Sequence, residues 1–143
     1  MEYWSMKNFQ FRKVCAGRDY IADNYLNSFD LVNAAKHSHM SPYHFLRTFK
    51  KTFGETPNAF LIRLRIEKAK NMLITENLSI TEVCENTGYI SLGSFSSRFR
   101  EQVGVSPSSY RRKIWSLSTE AFRYPSQTIP SCYAYHFLGE VVK

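Results

Sequence analysis

The 143-residue chain has no long apolar run and is poor in the residues that mark fibrous or disordered proteins. Its 6 glycines and 5 prolines are dispersed, which argues against a collagen-like or low-complexity chain. No apolar stretch approaches the roughly 18–20 residues that a membrane-spanning helix needs. The first ten residues mix charged, polar and aromatic side chains, which is unlike a signal peptide. The length suits one domain with a core of its own.

Cysteines are also scarce, and their spacing excludes a disulfide framework. Cys15, Cys84 and Cys132 lie far apart and form no C-x-x-C pair. An odd, dispersed set is typical of reduced thiols in a cytosolic protein. We therefore expect a cytoplasmic protein without a membrane partner.

The sequence also lacks any constellation of residues that would support catalysis or metal binding. It contains no nucleophile next to a base, no paired carboxylates, no phosphate-binding glycine loop and no zinc cluster. Three histidines, at positions 37, 39 and 44, lie close together but have no acidic or thiol partner nearby in sequence. We therefore predict that the protein is not an enzyme and uses neither a metal nor another cofactor.

Positive charge, in contrast, is in excess. The chain has 19 Lys and Arg against 12 Asp and Glu, a formal net charge of +7, and a pI of about 9.4. The excess is concentrated: residues 42–72 hold seven basic and two acidic side chains, and residues 94–113 hold five and one. This balance favours a polyanionic partner, although charge alone does not identify it.

The most informative feature is an internal repeat, in which residues 40–60 match residues 90–110 at an offset of 50. The matched pairs are Ser41 with Ser91, Phe45 with Phe95, Phe49 with Phe99, Lys50 with Arg100, Gly54 with Gly104, Pro57 with Pro107, and Phe60 with Tyr110. Upstream the offset is 49, so one extra residue lies near Ile90. Two copies in one short chain indicate a duplicated unit rather than a solenoid.

Each unit is predicted to consist of two short helices joined by a turn. Ser or Asp begins each helix, a glycine ends the second one, and phenylalanines at four-residue steps form its inward face. The prediction is an all-α fold of about seven helices. Its parts are a helix over 18–27, a first unit over 30–54, a linker helix over 57–74, a second unit over 79–104 and a last helix over 106–115.

A helix pair of this kind, with small polar residues opening its second helix, is typical of the helix-turn-helix motif. The stretch over 18–115 resembles the DNA-binding domain of AraC/XylS-type bacterial transcription regulators. The second unit carries G-Y-x-S-x-x-S-F-S-x-x-F-R followed by G-V-S-P-S-S-Y-R, and the first carries M-S-P-x-H-F-x-R-x-F-K-x-x-x-G-x-T-P. Residues 1–17 are then an N-terminal extension and 116–143 a C-terminal tail, neither long enough for a separate ligand-sensing domain.

The resemblance implies two helix-turn-helix subdomains that place two recognition helices in successive major grooves of double-stranded DNA. It implies base contacts by Tyr43, Leu46, Arg47, Leu92, Gly93, Ser94 and Ser97. It implies phosphate contacts by Ser41, His44, Lys50, Lys51, Ser91, Arg98 and Arg100.

The sequence departs from the common family pattern at three positions. Leu92 and Ser97 stand where family members often carry Gln and Arg, so weaker direct base recognition is expected from the second unit. His39 replaces the usual turn glycine, which asks histidine to adopt a left-handed backbone conformation.

The resemblance also implies that one chain binds an asymmetric DNA site as a monomer at the bacterial nucleoid. It implies control of transcription through contact with RNA polymerase, and no small-molecule effector is evident in the sequence. The alternative is a protein-interaction module that uses the same basic helical faces to bind an acidic protein. The apolar tail IPSCYAYHFLGEVV suits packing on the body of the protein or on another protein, and the sequence leaves both open.

Overall fold

The computed structural model describes residues 2–123, and within that range the protein consists of seven α-helices without a β-strand. The predicted all-α fold is thus confirmed. The helices are α1 (Glu2–Asp23), α2 (Leu31–His37), α3 (Pro42–Phe53), α4 (Pro57–Thr75), α5 (Ile80–Glu85), α6 (Leu92–Val103) and α7 (Pro107–Arg123). No helix in the described range is long and apolar enough to cross a membrane.

Two separate hydrophobic cores lie under the two copies of the repeat, and α4 contributes to both. Leu61 near the start of α4 packs into the first core, whereas Ile66, Ala69 and Leu73 pack into the second. The first core is otherwise Val14, Ile21, Ala34, Ala35, Phe45 and Phe49, and the second is Val83, Cys84, Phe95 and Phe99. The predicted inward phenylalanines are therefore core residues, and α4 is the bridge between the two units.

The helix starts follow the predicted capping chemistry. Ser41 and Ser91 begin α3 and α6, and each Oγ accepts a hydrogen bond from the backbone N–H three residues ahead, at 3.3 and 3.2 Å. A capping box is present at the start of α5. The Glu82 N–H donates to Ser79 Oγ at 3.2 Å, and the Ser79 N–H donates to the Glu82 carboxylate at 2.7 Å. These bonds hold the pKa of Glu82 below its ordinary value.

The turns inside the two units adopt the same backbone conformation with different residues. Gly88 has φ of 78°, and His39, its counterpart in the first unit, has φ of 50°. The expected left-handed histidine is therefore present. A side chain with a β carbon is strained in this region, although histidine tolerates it better than most residues do.

Replacing His39 by glycine is expected to raise the free energy of unfolding by about 0.5–1 kcal/mol, because the relief of left-handed strain exceeds the added entropy of the unfolded chain. Urea denaturation followed by circular dichroism measures the change. The reciprocal variant Gly88→Ala is expected to be less stable than the wild-type protein. If the His39→Gly protein unfolds at a lower urea concentration than the wild-type protein, the packing of the imidazole stabilises the fold by more than the left-handed backbone destabilises it.

Both ends of the first helix differ from the prediction. The helix expected over 18–27 in fact spans Glu2–Asp23. The prediction missed the first half because that half lacks the apolar stripe on which the prediction relied, and Phe9 and Phe11 there are more than half exposed. The helix ends early because the Asn24 side-chain amide donates to the carbonyl of Tyr20 at 2.9 Å, which caps the helix end.

The last helix continues past residue 115 to Arg123. In this added part the hydroxyls of Ser118 and Thr119 donate to the carbonyl of Trp115 at 2.8 and 2.9 Å within the helix. The predicted domain borders at residues 17 and 115 therefore fall inside α1 and α7, and the division into extension, double unit and tail stays a prediction. Most of the predicted tail, residues 124–143, lies outside the described residues.

One side chain of the bridging helix joins the loop after α1 to the second unit. Arg65 Nε donates to the carbonyl of Tyr25 and its Nη2 to the carbonyl of Asn27, both at 2.7 Å. The same guanidinium lies 5.4 Å from the ring centroid of Tyr89 in the second unit. Burial lowers the pKa of the Arg65 guanidinium, which nonetheless stays charged.

The backbones of the loop after α1 and of the turn in the second unit also approach each other closely beside Arg65. A β carbon on Gly88 would lie 2.8 Å from the carbonyl oxygen of Leu26, so the loop after α1 rests on the turn of the second unit. Arg65 and this close approach together hold the turn of the second unit against the loop that leads from α1 into the first unit.

Candidate nucleic-acid interface

The outward face of α3 combines an aromatic ring with a guanidinium group. Tyr43 is 69% exposed, and Leu46 and Arg47 are exposed beside it. Arg47 Nη1 donates to the Tyr43 hydroxyl at 3.4 Å, and the guanidinium carbon lies 5.6 Å from the tyrosine ring centroid. This contact places the arginine over the tyrosine and uses one of its five N–H donors.

The outward face of α6 has a different chemistry. Its four predicted base-contacting residues are all exposed, and none of them is charged. Leu92 is 45% exposed, and a β carbon built on Gly93 would meet no atom within 4 Å. Ser94 and Ser97 supply small hydroxyls. The two helices occupy equivalent places in the repeat but present different groups.

Basic side chains lie in the C-terminal halves of both α3 and α6. Lys50, Lys51 and Arg100 are exposed and, within the described part of the chain, take part in no ion pair. Arg98 Nη1 instead lies 2.8 Å from Glu101 Oε2, so part of its charge is already balanced. Lysine and arginine side chains that are not engaged in the fold are suited to phosphate contact.

The structure places every predicted contact residue on the solvent side of α3 or α6 or at the start of one of them, opposite the buried phenylalanines. Those of the first unit are Ser41, Tyr43, His44, Leu46, Arg47, Lys50 and Lys51, and those of the second are Ser91, Leu92, Gly93, Ser94, Ser97, Arg98 and Arg100. Their exposure is compatible with contact to DNA, and the individual roles stay predictions. Ser41 and Ser91 already use Oγ as helix caps.

One cysteine of the described range is part of the second core. Cys84 is buried, its Sγ donates to the carbonyl of Tyr89 at 3.7 Å, and burial raises the pKa of its thiol. A raised pKa keeps the group as the less reactive thiol. Cys132 lies outside the described residues.

The comparison with known proteins decides the family. A helix-turn-helix domain family matches residues 34–113, which is more than half of the chain. The transcriptional activator AarP of Providencia stuartii is 32% identical over 110 residues, which covers 76% of this chain and 82% of AarP. The chain belongs to the AraC-type helix-turn-helix family of DNA-binding transcriptional regulators. The predicted resemblance is thereby confirmed.

Other members of the family show the same domain in other settings. The DNA-binding domain of AdpA, solved in complex with a target DNA, has a TM-score of 0.65 and 27% identity and covers 79% of this chain and 96% of that one. The HTH-type regulator YobQ of Bacillus subtilis is 32% identical over 97 residues, 68% of this chain but 40% of YobQ. The AraC-type chain thus spans well under half of that relative. AdaA of the same organism is named a bifunctional transcriptional activator and DNA repair enzyme.

Proposed function

We propose that this AraC-type chain binds double-stranded DNA as a monomer, with α3 and α6 in two successive major grooves on one face of the duplex. The observation that carries the proposal is the pair of equivalent, outward-facing helices on a single bridging helix, α4. At 19 residues and about 1.5 Å per residue, α4 is about 28 Å long. That length is compatible with the roughly 34–36 Å between successive major grooves. The DNA complex of the AdpA domain, with the same fold, supports the proposal.

The experiment that tests this function is selection from a random duplex pool with the purified full chain at near-physiological salt. An enriched asymmetric motif with two blocks about 10 base pairs apart is the expected result. The protein-interaction module is the alternative, and the comparisons do not favour it. Binding without preference among duplexes would support that alternative and contradict specific DNA recognition.

Arg47→Ala is expected to relax the preference at one position of the first block, because arginine forms bidentate bonds to guanine worth about 1–3 kcal/mol of discrimination. Repeating the selection with the variant measures the change. Lys50→Ala is the matched control, since a lost phosphate contact weakens all sequences about equally and leaves the motif intact. An unchanged motif for Arg47→Ala would contradict its assignment to a base edge.

The proposal extends to the biological role. The chain acts as a transcription regulator at the nucleoid in the bacterial cytoplasm, where its DNA partner is found, and contacts RNA polymerase from its DNA-bound position. Its action needs no catalysis, cofactor or small-molecule effector. In vitro transcription from a promoter carrying the selected motif tests this part. Transcript levels that do not respond to the protein would contradict it.

A further inference from the structure

The second unit has one more residue than the first between its turn and its recognition helix, and that residue is Ile90. In the first unit the Met40 N–H closes the turn by donating to the Ala35 carbonyl at 3.0 Å. In the second unit the equivalent bond runs from the Tyr89 N–H to the Cys84 carbonyl at 3.2 Å. Tyr89 is therefore the structural counterpart of Met40, and Ile90 is added between the turn and the residue that caps α6.

The added isoleucine takes no part in the core. Its side chain is fully exposed, with a relative accessible surface of 106%. A hydrophobic residue before a helix cap usually packs against the fourth helical residue, and Met40 does pack against the core that contains Phe45. In the second unit Tyr89 provides this contact instead, with its ring centroid 5.5 Å from that of Phe95. Packing in the core therefore does not explain why the added residue is an isoleucine.

Other exposed, uncharged groups follow the isoleucine at the start of α6. Leu92 is 45% exposed, and Gly93 beside it has open space where a β carbon would be. Together Ile90, Leu92 and Gly93 form an aliphatic edge at the N-terminal end of the second recognition helix. The corresponding end of α3 carries Tyr43 in place of Gly93, and Met40 is turned inward.

We infer that this aliphatic edge recognises thymine 5-methyl groups, with Ile90 and Leu92 as specificity-determining residues. The inference rests on the proposed function, in which α6 lies in a major groove. The N-terminal residues of a recognition helix contact base edges, and the thymine methyl is the apolar group that the major groove offers them. The open space at Gly93 allows close approach. The two units then recognise DNA differently, the first by hydrogen bonds from Arg47 and the second by apolar contact.

The test uses the duplex selected from the random pool. The block of this motif that changes in the Arg47→Ala selection is assigned to α3, and the other block is assigned to α6. Each thymine of the other block is replaced in turn by deoxyuridine, which keeps base pairing and removes only the methyl group. Fluorescence anisotropy with the full chain measures the affinity. We expect a loss of about fourfold for each contacted methyl group, the equivalent of one buried methylene. Deoxyuridine in the α3 block is expected to have little effect.

The variant Ile90→Ser links the effect to the residue. Its affinity is expected to fall for the thymine duplex, and at one of the positions where deoxyuridine weakens wild-type binding the substitution is expected to have little further effect on the variant. Leu117→Ser, at an exposed leucine on α7, is the matched control and should respond to deoxyuridine as the wild-type protein does. Thermal unfolding confirms that the variants are folded.

The outcomes separate this inference from the proposed function. Methyl recognition would be overturned if the α6 block of the selected motif lacks thymine, or if deoxyuridine in that block does not weaken binding by the wild-type protein. Either result would leave two-helix binding intact. Equal deoxyuridine sensitivity in Ile90→Ser and the wild-type protein would overturn the role of Ile90. Selection of no motif would overturn the proposed function and this inference with it.

Discussion

Replacing Gly17 by alanine is expected to lower the free energy of unfolding by at least about 3 kcal/mol, the upper part of the range for overpacking a core. Gly17 is buried where α1 crosses the first unit. A β carbon there would overlap Ser38 Oγ and lie 2.5 Å from Phe45 Cε2 and 2.8 Å from the carbonyl oxygen of Ala34. Two of these three neighbours are a core ring and helix backbone, so neither yields easily. Urea denaturation measures the loss.

The double variant Gly17→Ala/Ser38→Ala distinguishes steric overlap from a general effect on α1. Ser38 Oγ is the nearest atom and, among the described residues, has no hydrogen-bond partner, so removing it costs little by itself. The double variant should recover part of the lost stability. Gly93→Ala is the matched control, because open space surrounds that position in α6 and alanine favours a helix by about 1 kcal/mol. Equal stability of Gly17→Ala and the wild-type protein would contradict the close approach.

The second large effect is expected at the junction between the units. Arg65→Met removes two charge-assisted hydrogen bonds, each worth about 1.5–3 kcal/mol, so we expect a loss of about 3 kcal/mol in the free energy of unfolding. Arg63→Met is the control on the same helix. Arg63 pairs with Glu55 at 2.6 Å on the surface, and such pairs are worth at most about 1 kcal/mol.

The same variant tests whether the junction sets the spacing of the two recognition helices. The wild-type protein is expected to lose affinity sharply when two base pairs are inserted between the two blocks of its site. Arg65→Met should bind the original duplex more weakly and lose less on insertion, because its units are less firmly oriented. An identical insertion penalty in both proteins would show that Arg65 stabilises the fold without fixing the helix spacing.

Local sequence patterns predicted most of the fold. Ser41 and Ser91 as caps and Phe45 and Phe95 as core residues follow from residue type, period and the repeat, and the left-handed turn at His39 follows from the family resemblance. These features depend on interactions within a few residues of one another, which a sequence records directly.

Contacts between distant segments could not be predicted in the same way. Arg65 bonds to carbonyl groups 38 and 40 residues away, and any residue has a carbonyl, so no pattern in the sequence marks its partners. The start of α1 was missed because exposed Phe9 and Phe11 break the apolar period that identifies a helix. The sequence match located the extra residue only near Ile90, and the backbone hydrogen bonds of the two turns identify Ile90 itself as the added residue.

Hydroxyl-radical footprinting of the selected duplex, with one protein chain bound per duplex, tests the central claim most directly. The account predicts two protected patches on one face of the DNA, about 10 base pairs apart, one for α3 and one for α6. A single protected patch at this stoichiometry would contradict the claim that one chain places both recognition helices in the major groove.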